Sequence, residues 1–320
     1  MPSIKFSYAL NSWRPTYDSF VRREQHARAL KTISVSGFRS VELSCGGGRW
    51  EPLGNREMME TNHGSIDGFV DFLRSCAIDA VSSYFFDPGV FLSSAGVPLA
   101  VANPADRAEI VERAREYLIM LPLLGGDRLV VKPAPAYWRS GEPSQPLLRN
   151  IAELWNQVGE IAAQQRVKVA MHLDCLCAIR SEAAIDRLLD ATNPQSVGLA
   201  IDTAEMTLAG LDPVAVYDRF AERVNHVQFK DVLLRDDLGE ATQSNAELNF
   251  LSGGGSREVA RWFWEMGTPG GLVDFPALLS RLQARGYDGW IVVESDQSPY
   301  PATSAMLNGW YVNRVLAPRR

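Results

Sequence analysis

The sequence predicts a closed α/β barrel of the (β/α)₈ type, on three observations. Short β-branched, apolar runs alternate with amphipathic helical stretches along nearly the whole chain. No hairpin turn signals separate the runs, which favours a parallel sheet. The first strand leads into Asn11-Ser12-Trp13-Arg14-Pro15, without the glycine-rich phosphate loop expected of an open doubly wound sheet. At 320 residues the chain suits one such barrel.

The elements follow in order. Ile4–Ala9 reads as a strand and not a signal peptide, because no basic segment precedes a long apolar one. A helix over Asp18–Thr32 leads to strand two, Ser40–Ser44. Ile66–Cys76, with Ser65 placed to cap it, precedes strand three, Ala80–Tyr84. Helix Asp106–Leu123 and strand Arg128–Lys132 come next, then helix Leu148–Gln164 and strand Val167–His172. Ser181 caps helix Glu182–Ala191, which feeds strand six, Val197–Asp202. Helix Pro213–Glu222 and strand His226–Lys230 form the seventh unit. Asp274 caps helix Phe275–Arg285, ahead of strand eight, Gly289–Glu294, and a closing helix over 302–316. Most strands are apolar at consecutive positions, as burial on both faces requires. Residues 1–320 are thus expected to form a single barrel domain with one insertion around 235–270. The insertion holds Gly253-Gly254-Gly255 and Trp262-Phe263-Trp264, and reads either as a lid at the active face or as a flap over the rim.

Composition narrows the function. A net charge of −6 argues against a nucleic-acid footprint. No apolar run reaches ~18 residues, so no membrane span is expected. Cys45, Cys76, Cys175 and Cys177 show no disulfide framework and read as free thiols, which suits a cytoplasmic protein.

Barrel active sites lie at the C-terminal strand ends, so polar residues closing apolar strands are the candidates. Asp202 and Glu294 are carboxylates that burial would penalise unless they were paired or metal-bound. With His172 and Gln228 they supply two carboxylates, an imidazole and an amide oxygen. That set suits one divalent ion, Mn²⁺ first, with Mg²⁺ or Co²⁺ as alternatives. Each has a plainer reading: Asp202 can cap the next turn, Glu294 can pair with Lys230, and Gln228 can act only as a hydrogen bonder. Glu42 at the end of strand two is a candidate acid or base, with a structural salt bridge as its rival. Lys132 can stabilise an oxyanion or simply pair with an acid. Lys230 and Asp231 are expected to pair with each other, and His26 and His63 to lie at the surface.

The motifs Gly37-Phe38-Arg39-Ser40-Val41-Glu42-Leu43, Ile201-Asp202-Thr203 with Gly210-Leu211-Asp212-Pro213, and His226-Val227-Gln228-Phe229-Lys230-Asp231 resemble the sugar phosphate isomerase/epimerase superfamily of xylose isomerase-like TIM barrels. Gly271-Leu272-Val273-Asp274-Phe275 and the run from Gly286 to Glu294 complete the likeness. The resemblance implies an enzyme with one divalent metal, held by Glu, Asp, His and Glu from strands five to eight. The matching positions here are His172, Asp202, Gln228 and Glu294, so two of the four depart from the pattern, and Glu205 stands where the family often has histidine. Loss of the strand-five glutamate weakens an isomerase or 3-epimerase reading, whereas His172 resembles the strand-five end of the dehydratases. The stretch Ser304-Ala305-Met306-Leu307-Asn308-Gly309-Trp310-Tyr311 is similar to the tail of the barrel subunit of bacterial C-glycoside deglycosidases, which have a small β-rich partner.

The expected function is therefore a metal-dependent lyase of C-glycoside deglycosidase type, acting on a keto sugar or 3-oxo-glycoside. Proton removal next to the carbonyl, with His172 as either ligand or base, would be followed by elimination. An inosose dehydratase, a sugar isomerase or 3-epimerase, and a non-catalytic accessory subunit are the alternatives. The aromatic insertion suggests a homo-oligomer or a complex with a small partner subunit.

Overall fold

The computed structural model describes residues 4–13, 23–45, 52–252 and 261–317. Its strands are β1 (Lys5–Ala9), β2 (Ser40–Ser44), β3 (Ala80–Phe86), β4 (Arg128–Val131), β5 (Lys168–His172), β6 (Val197–Asp202), β7 (Val224–Phe229), β8 (Asp231–Val232), β9 (Phe263–Trp264) and β10 (Trp290–Val293). Eight of them close a parallel barrel in the order β1-β10-β7-β6-β5-β4-β3-β2. Closure comes from β1 against β10, with Lys5 opposite Trp290 and Tyr8 opposite Val293. Every expected barrel strand is present, with ends shifted by one or two residues.

Alternation along each strand decides what faces where. Val41 and Leu43, Leu129 and Val131, Leu199 and Ile201, Val227 and Phe229 point outward and join the core under the helices. The intervening residues point inward. Val130, Ala170 and Ala200 form a small internal cluster against Phe85. Other inward positions are polar: Ser82 Oγ lies 2.7 Å from Ser7 Oγ, and Arg128 Nε donates to the Asn225 carbonyl at 2.7 Å.

The three expected caps are in place. Ser65 accepts from Gly68 N–H at 3.0 Å, Ser181 from Ala184 at 3.2 Å and Asp274 from Ala277 at 2.9 Å. Each contributes about 1 kcal/mol by satisfying an otherwise orphaned donor. The first helix is described over Arg23–Val35, and the expected residues 18–22 lie outside the described ones. Helices Arg56–His63, Thr203–Leu208 and Ala246–Ser252 are not among the elements expected from the sequence. The last helix, Pro301–Tyr311, runs on into a π turn over Val312–Leu316. It packs closely on the first, because a Cβ on Gly309 would fall 2.0 Å from the Ser36 carbonyl oxygen.

The insertion folds over the barrel mouth. β8 and β9 pair antiparallel, with Asp231 opposite Trp264, and the Phe250 and Trp262 rings stack at 4.8 Å. Trp262 and Phe263 are buried with Cys175, Ala204, Leu208 and Val232 in a second core. The expectation of aromatics displayed to a partner is thereby corrected: a run this apolar is more stable covering the rim. Gly253-Gly254-Gly255 lie outside the described residues. No described helix is long and apolar enough to cross a membrane. None of the four cysteines forms a disulfide, and all are buried.

The surface assignment of two histidines is also corrected. His63 is half-buried and stacks on Phe72 at 4.5 Å. His26 is buried, and burial together with the nearby His63 lowers its pKa to about 4. Between pH 6.5 and 4 the unfolded chain therefore binds a proton there that the native state refuses, so stability falls as pH drops through that window. The expected loss is roughly 2–3 kcal/mol, at ~1.4 kcal/mol per unit. Urea unfolding of the wild type and His26→Leu from pH 7 to 4 should show a shallower decline in the variant; parallel curves would refute the assignment.

Candidate active site

A cavity opens at the C-terminal end of the barrel. Its wall is built from strand ends and the residues just after them: Asn11, Ser44, Asp87, Lys132, His172, Lys230 and Glu294. Glu247, Phe250 and Phe263 from the insertion overhang it, joined by Gln297. Gln297 fastens the cover, accepting from Trp262 N–H at 2.8 Å and donating to the Phe250 carbonyl.

His172 and Asp202 end adjacent strands. His172 Nε2 donates to Asp202 Oδ2 at 3.2 Å, while Phe85 meets the imidazole edge-on. Asp202 Oδ1 accepts from Ala204 N–H at 3.0 Å and Glu205 N–H at 2.9 Å. The carboxylate therefore caps helix Thr203–Leu208 and orients the histidine with its two oxygens. Burial opposes its charge, but Lys230 and His172 outweigh that and hold its pKa down to about 2. Burial also opposes charge on His172, yet the Asp202 hydrogen bond and surrounding carboxylates raise its pKa above the ordinary value. His172 Nδ1 has no hydrogen-bond partner. A ring held by a carboxylate on one nitrogen and unpaired on the other can accept a proton there.

Lys230 occupies the centre. Its buried ammonium lies 2.6 Å from Asp296, 3.2 Å from Asp202, 3.3 Å from Glu205 and 3.4 Å from Glu294. The Phe263 ring centroid is 4.1 Å away. Burial works against the charge, and these carboxylates hold its pKa well above the lysine value. Burial, with Asp296 beside it, pushes Glu294 well above the usual carboxylate range. Asn11 donates to both Glu294 Oε1 and Asp296, whereas Glu294 Oε2 accepts no hydrogen bond. Glu205 is likewise raised by burial, against the pull of Lys230, although its Oε2 accepts from Cys175 N–H at 2.9 Å.

Lys132 Nζ sits 3.1 Å from Asp174 and 4.0 Å from Asp87. Burial opposes its charge, but these two acids keep it protonated, with its pKa above the ordinary lysine value. Glu42 lies on the cavity floor, accepting from Ser83 Oγ at 2.6 Å and from the Gln228 amide at 2.6 Å, with His226 Nε2 at 3.2 Å. Its neighbours support the structural reading over an acid–base role. Asp231 does not pair with Lys230 as expected. It binds the backbone N–H groups of Val232, Leu272 and Val273 at 2.9–3.3 Å. Gly271 makes room for it, since a Cβ there would fall 2.1 Å from Asp231 Oδ2.

The arrangement also decides how well these residues suit a divalent ion. Among the described residues, no three His, Cys, Asp or Glu side chains are grouped to hold one. Gln228 turns its amide nitrogen to Glu42, His172 donates to Asp202, and the ammonium of Lys230 contacts Asp202 and Glu294. An ion sharing those oxygens would sit about 4 Å from the ammonium, a repulsion of roughly 8 kcal/mol at an effective dielectric of ~20. As arranged, the residues do not fit a divalent metal.

Sequence reasoning placed His172, Lys132 and Glu294 in the cavity, with Asp202 directly behind His172. It missed Lys230 as the centre, because lysine is seldom fully buried. Alternation was the usable signal: Gln228 and Lys230 share the inward face, and Lys230 is nearer the mouth. Asn11 and Asp296 lie in loops, where no period marks them.

A family model described as xylose isomerase-like TIM barrel matches residues 30–309. An inosose dehydratase of Lacticaseibacillus casei is 32% identical over 280 residues, covering 86% of this chain and 83% of the relative. One from Lactiplantibacillus plantarum is 35% identical over 304 residues, covering 93% and 91%. Among solved structures, the IOLI protein with a bound zinc atom superposes with a TM-score of 0.67 over 97% of each chain, at 12% identity, a likeness of fold alone. The fold and motifs agree with these matches, and the chain belongs to the xylose isomerase-like TIM barrel family.

Proposed function

We propose that the protein is a dehydratase acting on a cyclic polyhydroxy ketone of the inosose class. One observation carries the reading: a base and an acid face the same cavity. His172 Nδ1 takes part in no hydrogen bond while Asp202 holds the other nitrogen, and Glu294, whose pKa burial and Asp296 raise well above the usual carboxylate range, meets the Lys230 ammonium through Oε2 at 3.4 Å. Environments that push two titratable groups toward opposite tasks mark an acid–base pair.

In this scheme His172 Nδ1 removes the proton next to the ketone, and Asp202 stabilises the resulting imidazolium. The C–H electron pair forms the enolate, whose oxygen faces the Lys132 ammonium. The enolate collapses to a carbon–carbon double bond and expels the β-hydroxyl, which leaves as water with the Glu294 proton. The proton on His172 returns to Glu294 through solvent, which closes the cycle.

The inosose dehydratase relatives support this reading over the 3-oxo-C-glycoside one. The tail motif behind the latter serves packing: Asn308 bridges Ser295 Oγ at 2.7 Å and Met266 N–H at 2.9 Å, and Ser304 donates to Glu265. Incubation with an inosose in deuterated buffer is the test. A product lighter by one water is the expected result. Deuterium exchange without water loss would favour an epimerase, and neither change would favour an accessory subunit.

A further inference from the structure

We infer that the Lys230 ammonium stands in for a divalent ion at this site, so that the protein works without one. The inference rests on reading the cavity as the active site. A side chain from β7 delivers a cation to the point where acids from three other segments meet. Asp202 ends β6, Glu205 lies in the first turn of the following helix, and Glu294 and Asp296 follow β10. All four carboxyl groups come within 3.4 Å of Nζ. Phe263 from the insertion closes the remaining side with its ring face, a surface that favours an organic cation and offers a metal no donor.

The neighbouring side chains agree with this placement. Gln228 on β7 gives its amide nitrogen to Glu42, so its Oε1 is the one uncommitted atom that position offers. Glu205 contributes a further negative charge beside Lys230. Acids gathered around a fixed ammonium keep a cation at the centre without recruiting one from solution. Lysine also supplies N–H donors, so the charge that organises the acids is fixed to the backbone and is not lost by dilution.

The exchange can be run in reverse. Removing the ammonium should leave a cage of carboxylates with no counter-charge, and such a cage takes up hard divalent cations. Elemental analysis of the purified full-length protein and calorimetric titration with MnCl₂ and ZnCl₂ test this directly. The wild type is expected to hold no stoichiometric metal and to be unaffected by dialysis against EDTA. Lys230→Ala, checked for folding by circular dichroism, should bind Mn²⁺ at least about tenfold more tightly than the wild type. Lys230→Met keeps the side-chain volume and provides the same comparison if the alanine variant unfolds.

One equivalent of metal surviving dialysis of the wild type would overturn the inference. So would a folded Lys230 variant binding Mn²⁺ no better than the parent. These readouts need no substrate, so a failed dehydration assay leaves them intact. A metal found in a protein that does dehydrate an inosose would remove only the role given to Lys230.

Discussion

Replacing His172 with glutamine is expected to lower turnover of an inosose by about 10³–10⁴-fold, the full value of a positioned general base. Glutamine can still donate to Asp202 and occupies similar volume beside Phe85, so the wall of the cavity keeps its shape. What it lacks is a nitrogen able to hold a proton. The buried polar contact survives, and thermal unfolding should shift by only a few degrees. Steady-state kinetics with a parallel melting curve checks both parts. A variant within tenfold of wild-type kcat would show that proton removal occurs elsewhere in the cavity.

The second large effect is expected from Asp202→Asn. Asparagine caps helices as well as aspartate, so the turn at Ala204 and Glu205 should survive. The imidazolium formed during proton transfer, however, loses its carboxylate partner, at an expected cost of about 10²–10⁴-fold in kcat. The pH profile supplies a sign that a structural defect would not. The Asp202 charge favours protonated His172, which places the wild-type acid limb above the ordinary histidine value of 6.5. Without that charge the base becomes neutral at lower pH, so the limb should move downward. Stability should also suffer. A carboxylate held near 2 against an unfolded value of 3.8 contributes above pH 3.8 and loses that contribution as pH falls through 2. Removing it should cost on the order of 2 kcal/mol at neutral pH. An unmoved acid limb would sink the pairing of these two residues.

The barrel was legible because each strand is a short apolar run and several helices begin with a cap. Ser65, Ser181 and Asp274 all accept the expected backbone bond. Asn55 caps helix Arg56–His63 in the same way, through Met58 N–H at 3.1 Å, but that helix is short and is not among the expected elements. The β8–β9 pair joins residues about thirty positions apart with no turn between them, so no local signal announced it. In the site, strand-end logic found the residues of β4, β5 and β6. It chose Gln228 where Lys230 reaches the mouth, because whether a lysine is buried depends on acids brought by other strands. The tail stretch from Ser304 to Tyr311 was informative about packing and not about chemistry.

The cavity wall sets Glu42, Asp87, Asp174, Glu205, Glu247, Glu294 and Asp296 against two lysines that are already neutralised by neighbouring acids. A phosphate ester or a sugar acid would meet net repulsion from these acids on entering. The electrical sign of the wall thus weighs on what enters the barrel before shape is tested, and it favours molecules without negative charge.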